Sequence, residues 1–144
     1  SRDGVFSVFK SWKKCTRAAE KADAVCEQLG LTALADQIAS NLSYGDVALL
    51  EIGLALATDP RLLLLDEPIC GMGPAETEQT VAKIQEISKH INIIIIEHDI
   101  EVVFKIADEI TVMANGTVLA QGTPKDIAEN SDVRTAYLGD DDDD

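Results

Sequence analysis

The run LLLLDEP at residues 62–68 places four leucines directly before two acids and a proline. A short, unbroken apolar run of this kind is typical of a strand that is buried on both faces in a parallel sheet. Two carboxylates beside such a strand are costly unless a cation or a hydrogen-bond donor meets them. Asp66 and Glu67 therefore predict either a polar ligand at the end of the strand or a cap for the helix that follows.

A second apolar run and the helical pattern before it predict the architecture. INIIIIEHD (residues 91–99) indicates another buried strand, and the segment between the strands (residues 74–90) has helical spacing with a proline at its start. Apolar strands that alternate with helices predict an α/β fold with a parallel sheet. Ligands of such sheets gather at the carboxyl ends of the strands, so Asp66, Glu67 and His98 are expected on one rim if the strands are neighbours.

The residues before the first strand predict helices. TRAAEKADAVCEQL (residues 16–29) has helical spacing and is followed by Gly30, a C-cap signal. LTALADQIA (residues 31–39) indicates short helical pieces. The next helix is expected to start near Ser43 and to finish before Pro60, because the residue before a proline is disfavoured in a helix.

The residues after the second strand predict a helix, a hairpin and two short helices. Asp99 is expected to cap the helix in DIEVVFKIA. Asn115 and Gly116 supply the two turn residues of a hairpin in ITVMANGTVLAQG, and TPKDIAEN and SDVRTAYLG indicate the short helices. At the other end of the chain, the basic and mildly aromatic residues 1–14 are expected to dock on the remainder rather than to form a membrane-surface helix.

Composition and charge exclude several classes of protein. The chain has 144 residues, of which 46% are hydrophobic, so it is long enough for one domain with a sizeable core. Its 12 Lys and Arg against 26 Asp and Glu give a net charge of −14, which argues against nucleic-acid binding. Three scattered cysteines (Cys15, Cys26 and Cys70) indicate reduced thiols in a cytosolic protein. No apolar run approaches the ~20 residues that span a bilayer.

Four motifs follow one another along the chain: LSYGD (residues 42–46), LLLLDEP, CGMGP (residues 70–74) and IIIIEHD (residues 93–99). Together they resemble the C-terminal half of the ATP-binding subunit of an ABC transporter, matching its signature motif, Walker B strand, D-loop and switch-histidine strand. ADEITVMANGTVLAQGTP and the closing AYLGD look like the branched-chain amino acid importer group. The resemblance covers roughly residues 16–139.

The resemblance implies a fold and a division of the chain. The fold is a partial P-loop NTPase (RecA-like) parallel sheet with the ABC helical signature subdomain. Residues 1–58 would form that helical subdomain with its lead-in, and residues 59–139 the C-terminal part of the ATPase core. Residues 140–144, five aspartates, would form a solvated acidic tail.

The resemblance also implies chemistry with ATP and Mg²⁺. Asp66 would bind Mg²⁺, Glu67 would activate the hydrolytic water, and His98 would contact the γ-phosphate and sense its loss. Two further segments would face the ATP of a second subunit: the signature residues Leu42, Ser43, Tyr44, Gly45 and Asp46, and the D-loop residues Gly71, Met72 and Gly73. A helix that begins after Ser43 offers amides and a dipole that suit a phosphate, which is an independent physical reason.

Three positions depart from the family pattern. Tyr44 stands at the usual second glycine of the signature, and Asp46 stands at the usual glutamine. An acid there would repel a phosphate, so its side chain is expected to turn away. Gly73 replaces the usual acid of the D-loop, which puts the hydrogen bond across the dimer in doubt.

The 144 residues contain no GxxxxGK[ST] loop. That loop supplies the amides and the lysine that hold the β- and γ-phosphates. The expectation is therefore a fragment with the phosphate-loop half missing, inactive alone, with an unpaired sheet edge and exposed apolar surface that favour self-association.

Taken as a whole, the sequence predicts the ATP-hydrolysing subunit of an importer for branched-chain amino acids or related solutes. Its expected partners are a second ATP-binding subunit, the membrane permease subunits and, indirectly, a solute-binding protein, at the cytoplasmic face of the membrane. Two alternatives stay open: a truncated regulatory module that pairs with other ATPase subunits, and a soluble ABC ATPase outside transport.

Overall fold

A computed structural model of the chain describes residues 16–138. The chain divides into two compact units, residues 1–96 and residues 97–144. The first unit contains helices and a parallel sheet, which confirms the predicted α/β class. The expected docking of residues 1–14 and the acidic tail at residues 140–144 lie outside the described residues.

Three helices form most of the first unit, and their ends follow local sequence signals. Gly30 adopts a φ of 77° directly after the first helix, which confirms the predicted C-cap because glycine enters this region without steric cost. Two short 3₁₀ turns, Thr32–Leu34 and Ala39–Asn41, confirm the short helical pieces. The helices are α1 (Thr16–Leu29), α2 (Tyr44–Leu56) and α3 (Pro74–Ser88).

The sheet of the first unit has two parallel strands, β1 (Leu62–Asp66) and β2 (Asn92–Ile96). Their register aligns Leu62 with Asn92 and Asp66 with Ile96. Among the described residues each strand pairs only with the other, so each has one unpaired edge. The connection between them is helix α3, as parallel pairing requires.

Helices α1, α2 and α3 pack on one face of this sheet. The buried cluster consists of Val25, Leu29, Leu31, Leu49, Ile52, Leu63, Ile84 and Ile87. Helices α1 and α2 approach closely at Gly53, where an added Cβ would lie 2.9 Å from Leu29 Cδ1 and 3.2 Å from Val25 Cγ1. A glycine at this position is what permits the crossing.

The other face of the sheet is open, which corrects one prediction. Both strands were expected to be buried on both faces, because their sequences are apolar throughout. The structure buries only alternate side chains, and the outward ones keep much of their surface: Leu62 46%, Leu64 68%, Ile94 53% and Ile96 62% exposed. No described helix of this unit covers them, since all three pack on the cluster side.

The second unit contains the predicted hairpin and short helices. Its elements are α4 (Ile100–Ile106), β3 (Ile110–Ala114), β4 (Thr117–Gly122), α5 (Pro124–Ala128) and α6 (Ser131–Val133), followed by a π-helical turn, Arg134–Leu138. Asn115 (φ 50°) and Gly116 (φ 76°) make the hairpin turn, which confirms that prediction. Asp99 caps α4 by accepting from the Val102 amide at 3.1 Å, as expected.

Candidate functional site

The two acids of LLLLDEP lie where β1 ends. Asp66 is the last residue of the strand, and both Asp66 and Glu67 are exposed. Glu67 has a φ of 46°, in the left-handed region that a non-glycine residue seldom adopts. Its amide donates to the Ile96 carbonyl at 2.9 Å, so the β1–β2 ladder extends by one bond to hold the turn. Strained backbone of this kind concentrates at functional sites.

A cleft of about 340 Å³ opens beside these acids, between β1 and α2. It has an apolar floor that includes Ile52, Leu63 and Leu65. Its charged lining is three carboxylates, Glu51, Asp66 and Glu67, and no lining residue is basic; the full lining is Tyr44, Val47, Ala48, Glu51, Ile52, Ala55, Leu63, Leu64, Leu65, Asp66, Glu67, Pro68, Cys70 and Met72. This charge favours a cation or a cation-bearing group.

The signature segment forms the start of α2. Ser43 is the N-cap, and its oxygen accepts from the Asp46 amide at 3.2 Å. The Ser43 hydroxyl also donates to Asp46 Oδ2 at 2.9 Å. The sequence predicted that the Asp46 side chain turns away, but in the structure it bonds to the Ser43 hydroxyl. Leu42 precedes the cap in extended conformation, and Tyr44 stands 73% exposed at the first helical position.

One acid that sequence reasoning missed joins this segment to α3. Glu76 accepts from the Gly73 amide at 3.2 Å. Gly45 is buried against it, because an added Cβ there would lie 3.4 Å from Glu76 Cβ. The pKa of Glu76 lies below its ordinary value. The largest cause is the Gly73 backbone, followed by the Ser43 side chain and, with a smaller effect, the Gly45 backbone. Burial opposes them and raises the pKa.

The D-loop residues run from the end of the β1 turn to α3. Gly71 has a φ of 78° with open space around it, and Gly73 is the N-cap of α3. Met72 contacts α3 through a buried threonine. Thr80 is 1% exposed, and its hydroxyl donates to Met72 Sδ at 3.5 Å. Sequence reasoning missed Thr80 as well, because only the folded helix brings it under the loop.

His98 and its neighbours belong to the second unit. His98 is exposed and lies between the end of β2 and Asp99, the cap of α4. The parallel pairing of β1 and β2 is the condition under which convergence with Asp66 and Glu67 was predicted. The convergence itself stays a prediction.

The donor set at the end of β1 fits magnesium rather than a metal held by protein alone. Among residues 16–138, no group of three or more His, Cys, Asp and Glu is placed to hold a metal ion. Mg²⁺ is usually bound by one or two carboxylates together with substrate phosphates and water. Adjacent, exposed carboxylates on Asp66 and Glu67 match that requirement.

Comparison with known proteins identifies the class. The family model described as ABC transporter matches residues 3–70, and the model described as branched-chain amino acid ATP-binding cassette transporter matches residues 117–143. The chain is similar to the ATP-binding cassette family of ABC transporters. Within that family it is similar to the branched-chain amino acid group.

Curated relatives support this assignment. The high-affinity branched-chain amino acid transport ATP-binding protein LivG of Escherichia coli K12 is 44% identical over 126 residues, which are 86% of this chain and 49% of the relative. The probable LivG of Archaeoglobus fulgidus is 40% identical over 135 residues, 92% of this chain and 52% of the relative. The chain thus spans about half the length of the curated relatives it matches.

Solved structures show the same fold. An ATP-binding cassette of an ABC transporter in its ADP conformation matches with a TM-score of 0.77 and 35% identity, over 86% of this chain and 51% of that one. CbiO1 from Clostridium perfringens, part of the cbiONQ complex, matches with a TM-score of 0.73 and 31% identity, over 91% and 53%. In the described part of the chain no helix is long and apolar enough to cross a membrane.

Proposed function

We propose that this chain supplies the signature and Walker B portion of an ATP-hydrolysing subunit that drives an importer for branched-chain amino acids or related solutes. The observation that carries the proposal is the turn at the end of β1. It combines exposed acids with a left-handed Glu67 in a chain 44% identical to a transport ATPase. Acids placed only to cap a helix would not need that backbone, since α3 is capped by other residues.

The acids of the β1 turn would divide the work. Asp66 would bind Mg²⁺, which when present neutralises charge on the phosphates of ATP. Glu67, one residue further, would accept a proton from the attacking water and orient it for in-line displacement. The bond from the Glu67 amide to the Ile96 carbonyl ties the backbone of Glu67 to the end of β2.

His98 would donate a hydrogen bond to the γ-phosphate and respond to its loss. This contact would require His98 to lie near the β1 turn. His98 is two residues beyond the end of β2, the strand that pairs with β1. Gly45, Ser43 and the first turn of α2 would contact the phosphates of ATP held by a second subunit, as a helix N-terminus favours. Gly71, Met72 and Gly73 would lie beside them.

The assembly follows from these roles. Two ATP-binding subunits would pair across the nucleotides, and each would dock on a permease subunit at the cytoplasmic face of the membrane. A solute-binding protein would act only through the permease. The phosphate-binding loop would come from a part of the full-length subunit that these 144 residues do not contain.

A chimera tests the proposal directly. The portion of E. coli LivG outside its match to this chain is joined to this chain, and ATP hydrolysis is measured by phosphate release. We expect activity, and we expect Glu67→Gln to reduce kcat by about 10²–10⁴, the usual contribution of a general base. Glu78→Gln, at an exposed acid on α3, is the matched control and should retain activity. Equal activity of both variants would remove Glu67 from catalysis.

Calorimetric titration of the unfused chain with ATP and Mg²⁺ provides the complement. We expect no detectable binding, because the loop that contributes most of the phosphate contacts is absent from the sequence. Micromolar binding would mean that the chain builds a phosphate site from other residues, and the assignment of half a site would be wrong.

A further inference from the structure

Glu76 sits where the signature segment and the D-loop meet. Its carboxylate accepts from the Gly73 amide at 3.2 Å, and Glu76 Oε1 lies 3.7 Å from the position that a Gly45 Cβ would occupy. Gly45 and Gly73 are separated by β1 in the chain and come together only in the fold. Glu76 is thus in contact with both of them.

Helix capping alone does not account for this arrangement. An acid at the third position of a helix commonly bonds the cap amide, and the bond to Gly73 is of that kind. Glu76 also lies against the start of α2, since an added Cβ at Gly45 would lie 3.4 Å from Glu76 Cβ. The Gly73 backbone, the Ser43 side chain and the Gly45 backbone all lower the pKa of Glu76, which shows that the fold favours its ionised form.

The Ser43 side chain acts on two carboxylates. Its hydroxyl donates to Asp46 Oδ2 at 2.9 Å, and the side chain also lowers the pKa of Glu76. A hydroxyl has one proton, so it donates to one acceptor at a time. In the structure that proton goes to Asp46, and Glu76 is the alternative acceptor.

We propose that Glu76 is a positioning residue that couples the signature segment (residues 42–46) to the D-loop (residues 71–73). This inference rests on the proposed function, in which both segments face the ATP of the second subunit. Ionised Glu76 holds Ser43 and Gly45 at a set distance from Gly73. A change in either segment is then transmitted to the other through one carboxylate.

Amide-resolved hydrogen exchange and chemical shifts of the full chain test the coupling. In Glu76→Ala we expect about tenfold faster exchange at Gly73, the effect of one lost hydrogen bond, together with shifts at Tyr44, Gly45 and Asp46. Glu78→Ala, two residues along the same helix, should change neither segment. Shifts confined to Gly73 would show a helix cap only and would overturn the proposal.

Reciprocity separates coupling from a structural role. Because coupling between two sites acts equally in both directions, Ser43→Ala should shift the Gly73 amide, which donates to Glu76. Glu76→Gln keeps the size and an acceptor oxygen, so it covers the case in which the alanine variant fails to fold. We expect the glutamine variant to keep part of the Gly73 protection and to weaken the response of Gly73 to Ser43→Ala. Additive effects of the two substitutions would contradict coupling.

The chimera distinguishes this inference from the proposed function. An inactive chimera with reciprocal amide shifts would refute the ATPase proposal and keep the coupling. An active chimera with no response in the signature segment to Glu76→Ala would refute the coupling and keep the ATPase. If both hold, Glu76→Ala should lower kcat several-fold with little change in KM, because the residue positions groups and does not bind the nucleotide itself.

Discussion

The two faces of the β1–β2 sheet have nearly the same composition and opposite environments. Leu63 is 4% exposed among helices α1 to α3, whereas its neighbour Leu64 is 68% exposed. Both strands are uniformly apolar, so the sequence marks neither face. The difference shows that burial here is decided by which elements are present to cover a face, and not by the residues that form it.

Truncation of one leucine on each face gives the largest expected contrast. Leu63→Ala should destabilise the chain by about 2–4 kcal/mol, because it removes buried methyl groups and leaves a cavity. Leu64→Ala should change stability by no more than about 0.5 kcal/mol. Urea unfolding followed by circular dichroism measures both. Equal losses would mean that the face outside the helices is covered.

A substitution at the crossing of α1 and α2 tests how tightly the helices on the covered face are packed. Gly53→Val adds a side chain where even a Cβ would lie 2.9 Å from Leu29 Cδ1, and Leu29 is 1% exposed with little room to move. Overpacking of this kind costs about 1–3 kcal/mol. Leu54→Val, at the adjacent and 67% exposed position, is the control. The same urea transition should separate them clearly.

Charge on the open face should alter association more than stability. The exposed Leu64 and Ile94 support the predicted self-association, which stays a prediction. Leu64→Lys should lower the mass measured by light scattering at high concentration, with stability changed by less than about 1 kcal/mol. Leu54→Lys, on the exposed side of α2, should leave the mass unchanged. A monomeric unsubstituted chain at high concentration would contradict the prediction.

Lowering the pH should have the smallest effect on stability, through the two helix-capping carboxylates Glu76 and Asp126. The pKa of Glu76 lies below its ordinary 4.5, and that of Asp126 below 3.8 because of hydrogen bonds from Thr123. Each group is ionised more readily in the folded chain, so its stabilisation is present above the ordinary pKa and is lost as the pH falls through the folded pKa. Comparing urea midpoints at about pH 6 and about pH 3.5, Glu76→Gln should lose less stability than the unsubstituted chain. A larger loss in the variant would reverse the sign.

Local signals were sufficient for much of the fold. Helix α1 ends at the predicted residue, Gly30 and Asn115-Gly116 adopt the predicted left-handed conformations, and Asp99 caps its helix. Each of these features depends on residues within a few positions of one another. The open sheet face could not be found in this way, because an unbroken apolar run has no period that distinguishes one face from two.

In the candidate site, too, the residues in local motifs could be predicted and the contacts that depend on packing could not. Asp66, Glu67 and Ser43 could be selected from motifs, since each stands at the end of a recognisable element. Glu76 carried one local signal, its place three residues after Gly73, but its contact with Gly45 depends on the packing of α2 on α3. The bond between Ser43 and Asp46 reversed the expectation that this acid turns away, because a carboxylate three residues after a helix cap lies within reach of the cap hydroxyl.

The last rung of the β1–β2 ladder has a mechanical consequence. It joins the Glu67 amide to the carbonyl of Ile96, and Ile96 is also the residue at which the first compact unit ends. A force applied to the chain at that boundary would therefore act on the peptide group of Glu67 through this hydrogen bond. A displacement of Ile96 would therefore move Glu67, 29 positions earlier in the chain, without any change in the core.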